Sequence, residues 1–370
     1  MPVPLLDLRA QHTRIREEVV RAMMAVVDDQ AFILGEPVAR LEETVAELSR
    51  TRFAIGCASG TDALLLALRA LDVGPGDEVV TTPFTFFATA GTIHNVGAKP
   101  VFADIEPESF NLSVESAAAV VGPRTRAVIP VDLFGQMAPI ERFAAELPEL
   151  PIIEDAAQSI GASRDAGGGR YMAGERATIG TFSFFPSKNL GAYGDGGMIV
   201  TGDESLATRL RRLRVHGGAK QYYHDEVGYN SRLDALQAAV LLAKLPHLAE
   251  WSAARREHAG YYDSAFADVP EVRTPAIQVG NESIYNQYTL RVERRDALKE
   301  HLTREGIGSA IYYPLPLHLQ PCFAYLSYRE GSCPEAERAA REVISLPVYP
   351  ELSRAQQDQV ISAVLRFYGH

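Results

Sequence analysis

"FAIGCASGTDALLLALRAL", residues 53–71, changes its period in the middle. Phe53–Cys57 is a short apolar run of the kind that forms a buried strand, and from Gly60 onward the apolar residues fall at helical spacing. A strand that turns at once into a helix is the first half of a βαβ unit. The same alternation continues through "DEVVTTP" (77–83), "KPVFADI" (99–105), "TRAVIPVDLF" (125–134) and "LPIIEDAA" (150–157), with helical patterns between them. The spacing predicts an α/β fold with a mostly parallel sheet from about residue 50 to 200. In such sheets ligands lie at the carboxyl ends of the strands. "ASGTDALLL", "TPFTFFATA", "EDAAQS" and the loop around Lys188 all fall at strand exits.

Past residue 203 the pattern turns helical, in "ESLATRLRRLRV", "SRLDALQAAVLLAKLPHLAEW" and "SAARREHAGYYDSAF". A smaller α+β segment follows, with "NQYTLRV", "RDALKEHLTREG", "SAIYYPLP" and a closing helix near 353–367. The expected division is a large domain over 1–250 and a smaller one over 251–370. "SRDAGGGRY" reads as a glycine turn between two strands.

Composition narrows the function. The chain has 370 residues, 46% of them hydrophobic and 22% charged, with a net charge of -11. That acidity argues against a nucleic-acid surface, which needs clustered Lys and Arg. The short basic run "RLRRLRVHGGAK" reads as a solvated helix face or a local site for a phosphorylated ligand. Cys57, Cys322 and Cys333 lack metal-ligand spacing, and an odd count suits a reducing compartment. The N-terminal stretch has no secretory pattern and no apolar run reaches membrane-span length, so the expected location is the cytoplasm.

Four stretches carry chemistry. Ser59, Gly60 and Thr61 sit where a helix begins, and free N–H groups with the positive end of the dipole suit a phosphate there, although Ser and Thr cap helices generally. Asp155 follows an apolar strand, where a carboxylate is costly unless it meets a cation; its plainer reading is a helix N-cap. The protonated nitrogen of a pyridine ring, as in pyridoxal phosphate, is one such cation. Phe84, Phe86 and Phe87 offer faces to stack on a ring, or are core. Lys188 stands in "TFSFFPSKNLGAYGDGGMIVT" (181–201), either as a snorkelling surface lysine or as a desolvated amine able to form a Schiff base.

The ordered set "SGTDAL", "PFTFFATA", "EDAAQS", "SFFPSKNLGAYGDGG" and "GYNSRLDALQAA" closely resembles the pyridoxal 5'-phosphate-dependent nucleotide-sugar aminotransferases of the DegT/DnrJ type. The likeness runs from "LLDLRAQH" near the N-terminus to "ISLPVYPEL" near the C-terminus. It implies the fold-type I architecture, a mostly parallel seven-stranded sheet with helices on both faces plus a smaller α+β C-terminal domain. Lys188 matches the Schiff-base lysine that also moves the proton, and Asp155 the partner of the pyridinium nitrogen. Gln158 matches a contact on the ring hydroxyl side, Phe86 the stacking aromatic, and Gly60, Thr61 and Ser183 the phosphate cradle. Asn230 matches an asparagine that reaches the phosphate of the neighbouring subunit, which implies a homodimer with shared active sites. Relatives that use the cofactor for dehydration carry histidine in place of Lys188.

The implied reaction moves an amino group from L-glutamate to a ketone on a nucleotide-linked sugar. The chain looks most like enzymes that aminate C3 of UDP-2-acetamido-2-deoxy-3-oxo-glucuronate, through "GAYGDGG", "NSRLDALQAA", "SIYNQYTLRV" and "YPLPLHLQP". Arg232 suits the uronate carboxylate, or else serves structure or a diphosphate. Tyr312 and Tyr313 are expected to face the sugar. Asp132 and Tyr312 stand where many relatives carry histidine. "GGAKQYYHDEV" reads as a segment over the nucleotide, with Lys220, Tyr222, Tyr223 and His224 near a diphosphate or base, or as a solvated loop. The alternatives are a dTDP-keto-6-deoxy-sugar aminotransferase acting at C3 or C4, and a non-catalytic regulator that keeps the fold.

Overall fold

The computed structural model describes residues 2–220 and 222–370. Its main sheet is built from β1 (Phe53–Cys57), β2 (Glu78–Thr81), β3 (Lys99–Phe102), β4 (Thr125–Ile129), β5 (Ile153–Asp155), β8 (Ile179–Ser183) and β9 (Gly197–Thr201). Two hydrogen-bonded groups, β1-β9-β8-β5 and β3-β2-β4, are joined by parallel bridges from Val128 to Ile152 and from Val131 to Asp155. The result is a seven-stranded sheet in which β9 alone runs against its neighbours. Between β5 and β8 a hairpin of β6 (Ser163–Asp165) and β7 (Arg170–Met172) turns through Gly167–Gly169.

Alternate residues of each strand feed opposite cores, as the two-residue period requires. Ala54, Phe182, Met198 and Val200 pack with Leu41 and Val45 of α2 (Glu36–Leu48), Leu233, and Ala238 and Leu241 of α8 (Ala235–Lys244). Ile55, Ile153, Ile179 and Ile199 pack on the other side with α3 (Gly60–Ala70) and with Leu210 and Leu213 of α7 (Glu204–Leu213). Helices therefore cover both faces, which is why these strands read as near-continuous apolar runs. The sheet's helical cover is completed by α4 (Phe87–Asn95), α5 (Val114–Val120) and α6 (Ile140–Glu146). The N-terminal α1 (Leu8–Asp29) is capped by Asp7 and lies along α8.

The C-terminal part forms its own core. An antiparallel sheet of β10 (Val272–Arg273), β12 (Tyr288–Val292) and β13 (Val343–Leu346) packs against α9 (Leu248–Phe266), α10 (Arg295–Arg304) and α12 (Arg354–Tyr368). Val3 belongs to this second core and bridges to Ile307, so the first residues of the chain join its last elements. The short β11 (Asn281–Glu282) instead pairs with β6. The segment "SAIYYPLP" is not a strand: Ala310 bridges to Ser345, and the chain then returns to the main sheet, where Leu317 N donates to Pro83 O at 2.8 Å. Tyr312 and Tyr313 pack there with Phe84, Phe110 and Phe134, and α11 (Pro334–Glu342) closes the cluster.

Register fixes the spot where β1 and β8 end and β9 begins. Cys57 pairs with Gly197 and Gly197 with Ser183. A Cβ on Gly197 would lie 2.3 Å from Ser59 O and 2.8 Å from Gly60 N, both backbone atoms that cannot swing aside. Glycine at 197 is what lets the start of α3 lie against β9. Gly197→Ala is expected to lower unfolding stability by about 1–3 kcal/mol through this overpacking, read as an earlier denaturant midpoint. A parent-like midpoint would show that the α3 turn does not rest on Gly197.

Candidate active site

Strand ends bring the site together. β1 exits into Ser59, whose Oγ accepts from Asp62 N at 3.0 Å and caps α3. The first N–H groups of any helix lack partners within it, so the Gly60–Thr61 turn presents donors and a partial positive charge. A Cβ on Gly60 would lie 2.6 Å from Ser183 Cβ. The missing side chain therefore seats Ser183, at the end of β8, directly against the turn. Gly60, Thr61 and Ser183 form one cradle of small groups with donors suited to a phosphate.

Asp155 ends β5 and is buried. Thr89 Oγ1, in the first turn of α4, donates to its Oδ2 at 2.8 Å, and Ala157 N donates to Oδ1 at 3.3 Å. No helix follows Asp155, so the helix N-cap role that its sequence left open is not the one it plays; the second bond closes the turn that leaves β5. Burial raises the pKa of this carboxyl, against the pull of these bonds and of the Lys188 charge. Lys188 is half-buried in the turn after β8, where its N–H donates to Phe185 O at 2.9 Å. Burial pushes its amine down to about 8, and the Asp155 charge opposes that shift. The two groups thus feel each other inside a low-dielectric site.

Around this pair the remaining expectations divide. Gln158 Oε1 accepts from Phe134 N at 2.7 Å, and its Nε2 donates to Tyr313 Oη at 3.3 Å. Tyr313 meets the Phe84 ring edge-on at 6.1 Å, and Tyr312 lies 5.9 Å from it, ring to ring. Burial raises both phenols, and the Asp155 charge adds to the effect at Tyr313. Phe84 is core, whereas the Phe86 ring at the start of α4 is 58% exposed and free to stack on a ligand.

Arg232 does not line the same surface as these groups. Asn230 is exposed, its backbone bridged to Val215. Ser231 ties this segment to α3, donating to Asp62 Oδ2 at 2.6 Å. Arg232 lines a separate open depression of about 720 Å³ with His216, Lys220, Tyr222 and His224, which Lys188 and Asp155 do not line. Arg232 Nε is buried there without a hydrogen-bond partner among the described residues.

The sequence reading missed the support behind the site. Asp132, one of the two departures from the family pattern, is fully buried. It accepts from Ala138 N at 2.7 Å and from Ser159 Oγ at 2.6 Å, and it faces Glu154. Glu154 is also fully buried, and its Oε2 accepts from Gly174 N at 3.0 Å. Neighbouring residues of a strand point to opposite faces, so Glu154 turns away from the side that Asp155 occupies. The signal was present: two adjacent acids in an apolar strand cannot both face one ligand. Thr89 was legible in the same way, as a hydroxyl one helical turn after Thr85.

The buried acids set a pH dependence. Burial pushes Asp132 from 3.8 up to about 6, with its hydrogen bond to Glu154 opposing the shift and the Asp155 charge adding to it, while burial and the Asp132 charge push Glu154 well above 4.5. An acid held protonated only in the folded state loses stability as pH rises from its unfolded value towards its folded one. The stability of the parent minus that of Asp132→Asn should therefore fall between about pH 4 and 6, as measured by urea unfolding at each pH. A difference independent of pH would show that Asp132 is not held protonated.

The cradle, the buried carboxylate in need of a cation and the low-pKa amine together fit pyridoxal phosphate. Comparison with known proteins agrees. Residues 13–365 match the DegT/DnrJ/EryC1/StrS aminotransferase family. A pleiotropic regulatory protein of Geobacillus stearothermophilus is 50% identical over 100% of both chains. The UDP-N-acetyl-3-dehydro-alpha-D-glucosamine 3-aminotransferase of Acidithiobacillus ferrooxidans is 46% identical, covering 98% of this chain and 97% of that one. The UDP-2-acetamido-2-deoxy-3-oxo-D-glucuronate aminotransferase of Pseudomonas aeruginosa is 42% identical, covering 98% and 99%. The crystal structure of DesV from S. venezuelae superposes with a TM-score of 0.96 at 40% identity, covering 100% of this chain and 99% of that one. The chain belongs to the DegT/DnrJ/EryC1/StrS aminotransferase family and is a pyridoxal phosphate-dependent sugar aminotransferase.

Proposed function

We propose that this enzyme transfers an amino group from L-glutamate to C3 of a UDP-linked 2-acetamido-3-keto sugar, with the 3-oxo-glucuronate as its substrate. The observation that carries the catalytic part is the half-buried Lys188 set against the buried Asp155. Bound pyridoxal phosphate supplies an electron sink that stabilises negative charge at the carbon losing its proton. The Gly60–Thr61 turn and Ser183 hold its phosphate. Asp155, fixed by Thr89, holds the proton on the ring nitrogen, while Gln158 orients the ring from the hydroxyl side and Phe86 covers a face. Lys188 would hold the cofactor through its side-chain amine, and that amine, when free, would take a proton from one carbon and return it to another. An amine with a pKa of about 8 is matched to that work near neutral pH.

Asn230 and Arg232 act in the neighbouring copy of a homodimer, on this reading: Asn230 is exposed, and Arg232 lines a depression that Lys188 does not. The unpartnered Arg232 Nε supports an acidic group of the substrate there, with Lys220 and His224 beside it for a diphosphate. The similarity to two enzymes acting on UDP-linked 3-keto sugars supports the nucleotide and the carbon. The regulator of Geobacillus stearothermophilus favours a regulatory role, and the complete Lys188, Asp155 and Ser183 set weighs against it. Tyr312 and Tyr313 border the sugar, in a smaller unit of residues 251–370 laid against the cofactor-binding unit of 1–250. The enzyme works in the cytoplasm, where nucleotide sugars are made.

Two measurements test this. Borohydride reduction of the loaded enzyme should attach the cofactor to the 181–201 peptide, and Lys188→Ala should lose both that product and turnover by at least 10³-fold, on the order of removing a covalent catalyst; retained turnover sinks the assignment. Enzyme preloaded with the amino group by L-glutamate, then offered UDP-3-keto and dTDP-4-keto sugars, should react with the UDP-3-keto uronate. Reaction with 4-keto sugars alone overturns the substrate. Arg232→Met should cut the preference for the uronate over its neutral analogue by about 10–100-fold, the worth of a charge-assisted contact; an unchanged ratio removes Arg232 from carboxylate recognition.

A further inference from the structure

Lys244, the last residue of α8, is 2% exposed. Its Nζ donates to Gly191 O at 2.7 Å and lies 4.6 Å from the centre of the Tyr193 ring. Among the described residues no carboxylate offsets its charge: burial alone acts on it, pushing the amine down to about 8. A buried ammonium facing only a carbonyl and a ring is costly, and an apolar side chain of similar length would fill the same space without that cost. Its partners show what the cation holds.

Gly191 and Tyr193 are three and five residues beyond Lys188, in the same turn. The turn is folded so closely that a Cβ on Gly191 would lie 2.3 Å from Pro186 O. Ala192 N donates to Phe184 O at 2.8 Å and closes the turn at its base. Its other ties are peripheral to the Gly191 carbonyl. Asn189 Nδ2 donates to Ile284 O at 3.0 Å, Tyr193 N donates to Gln237 Oε1 at 2.8 Å, and Tyr193 Oη meets His12 Nδ1 at 2.6 Å. Lys244 grips the middle of the turn from below, by a charge-assisted bond to the carbonyl and a cation–π contact to the ring.

We propose that Lys244 is a positioning residue for the transamination, a buried cationic clamp that fixes the turn carrying Lys188. The proposal rests on the role given to Lys188 above. When Lys244 loses its proton the carbonyl bond loses its charge assistance and the ring contact vanishes, so the turn loosens on the alkaline side. Among the described residues, the titratable group that meets the clamp is the Tyr193 phenol, with His12 behind it; Lys188 and Asp155 carry the charges elsewhere in the site.

The test uses the loaded enzyme and reads the turn directly. Hydrogen exchange at Ala192 and Tyr193, corrected for the intrinsic base dependence, is followed in the parent from pH 7 to 9.5. Protection is expected to drop about tenfold as the pH passes 8. In Lys244→Met the low protection should already be present at pH 7, and the pH midpoint of the cofactor's visible absorbance should shift by half a unit or more, which loss of packing elsewhere would not cause. Protection that is flat with pH in the parent overturns the clamp, whether or not the variant folds; an unchanged midpoint in a folded variant overturns it equally. Borohydride trapping at Lys188 in the parent reports separately on the role of that lysine, so failure there is distinguishable from failure of the clamp.

Discussion

The structure depends on one constraint: a carboxylate, Asp155, is buried at the end of a central strand and has to be given a cation. Within the chain it receives two hydrogen bonds and the field of a half-buried lysine, and burial still raises its pKa. On the proposed reading, a ring nitrogen that carries a proton completes the set. The main sheet delivers the parts, because β1, β5 and β8 all exit on one edge and Lys188 follows β8 by a single turn.

Close approach is the second requirement, and glycine meets it. Gly197 lets the start of α3 lie against β9, Gly60 lets Ser183 lie against that start, and Gly191 lets the lysine turn double back on Pro186. Behind these surfaces the acid pair of Asp132 and Glu154 binds the segments that carry Gln158 and Asp155, through Ser159, Ala138 and Gly174. The site is therefore backed by a polar layer whose charge is suppressed by burial, and it is held from the α8 side by a lysine whose charge no acid offsets among the described residues.

Much of this was legible in the sequence. Strand exits at Cys57, Asp155 and Ser183 follow from runs bounded by small and polar residues, and the observed strands begin and end within a few residues of those runs. The reversal of β9 was not legible, since a fully buried strand shows the same apolar run in either direction. The N-terminal α1 and α2, with the pairing of Val3 to the C-terminal core, were likewise silent, because they depend on contacts between distant parts of the chain. "SAIYYPLP" looked like part of the second sheet, yet it leaves after one bridge to bring Tyr313 to Gln158. Asp132, a departure from the family pattern whose effect was open from sequence, proved to be internal, beyond the end of β4, with its partner Glu154 in β5. The two lysines show the limit most plainly: Lys188 stood out beside Pro186 and the glycines that follow, whereas Lys244 in "LLAKLPHL" resembles any helix-terminal lysine until its depth is known.

The claim on which the chemistry turns is that Asp155 keeps a proton on the ring nitrogen. The direct measurement is the ¹⁵N chemical shift of that nitrogen in enzyme loaded with isotopically labelled pyridoxal phosphate, taken from pH 6 to 9 in the parent and in Asp155→Ala. A pyridinium shift throughout in the parent, moving to that of a neutral ring in the variant, is the predicted result. A neutral-ring shift in the parent, or a pyridinium shift that survives loss of Asp155, would contradict it.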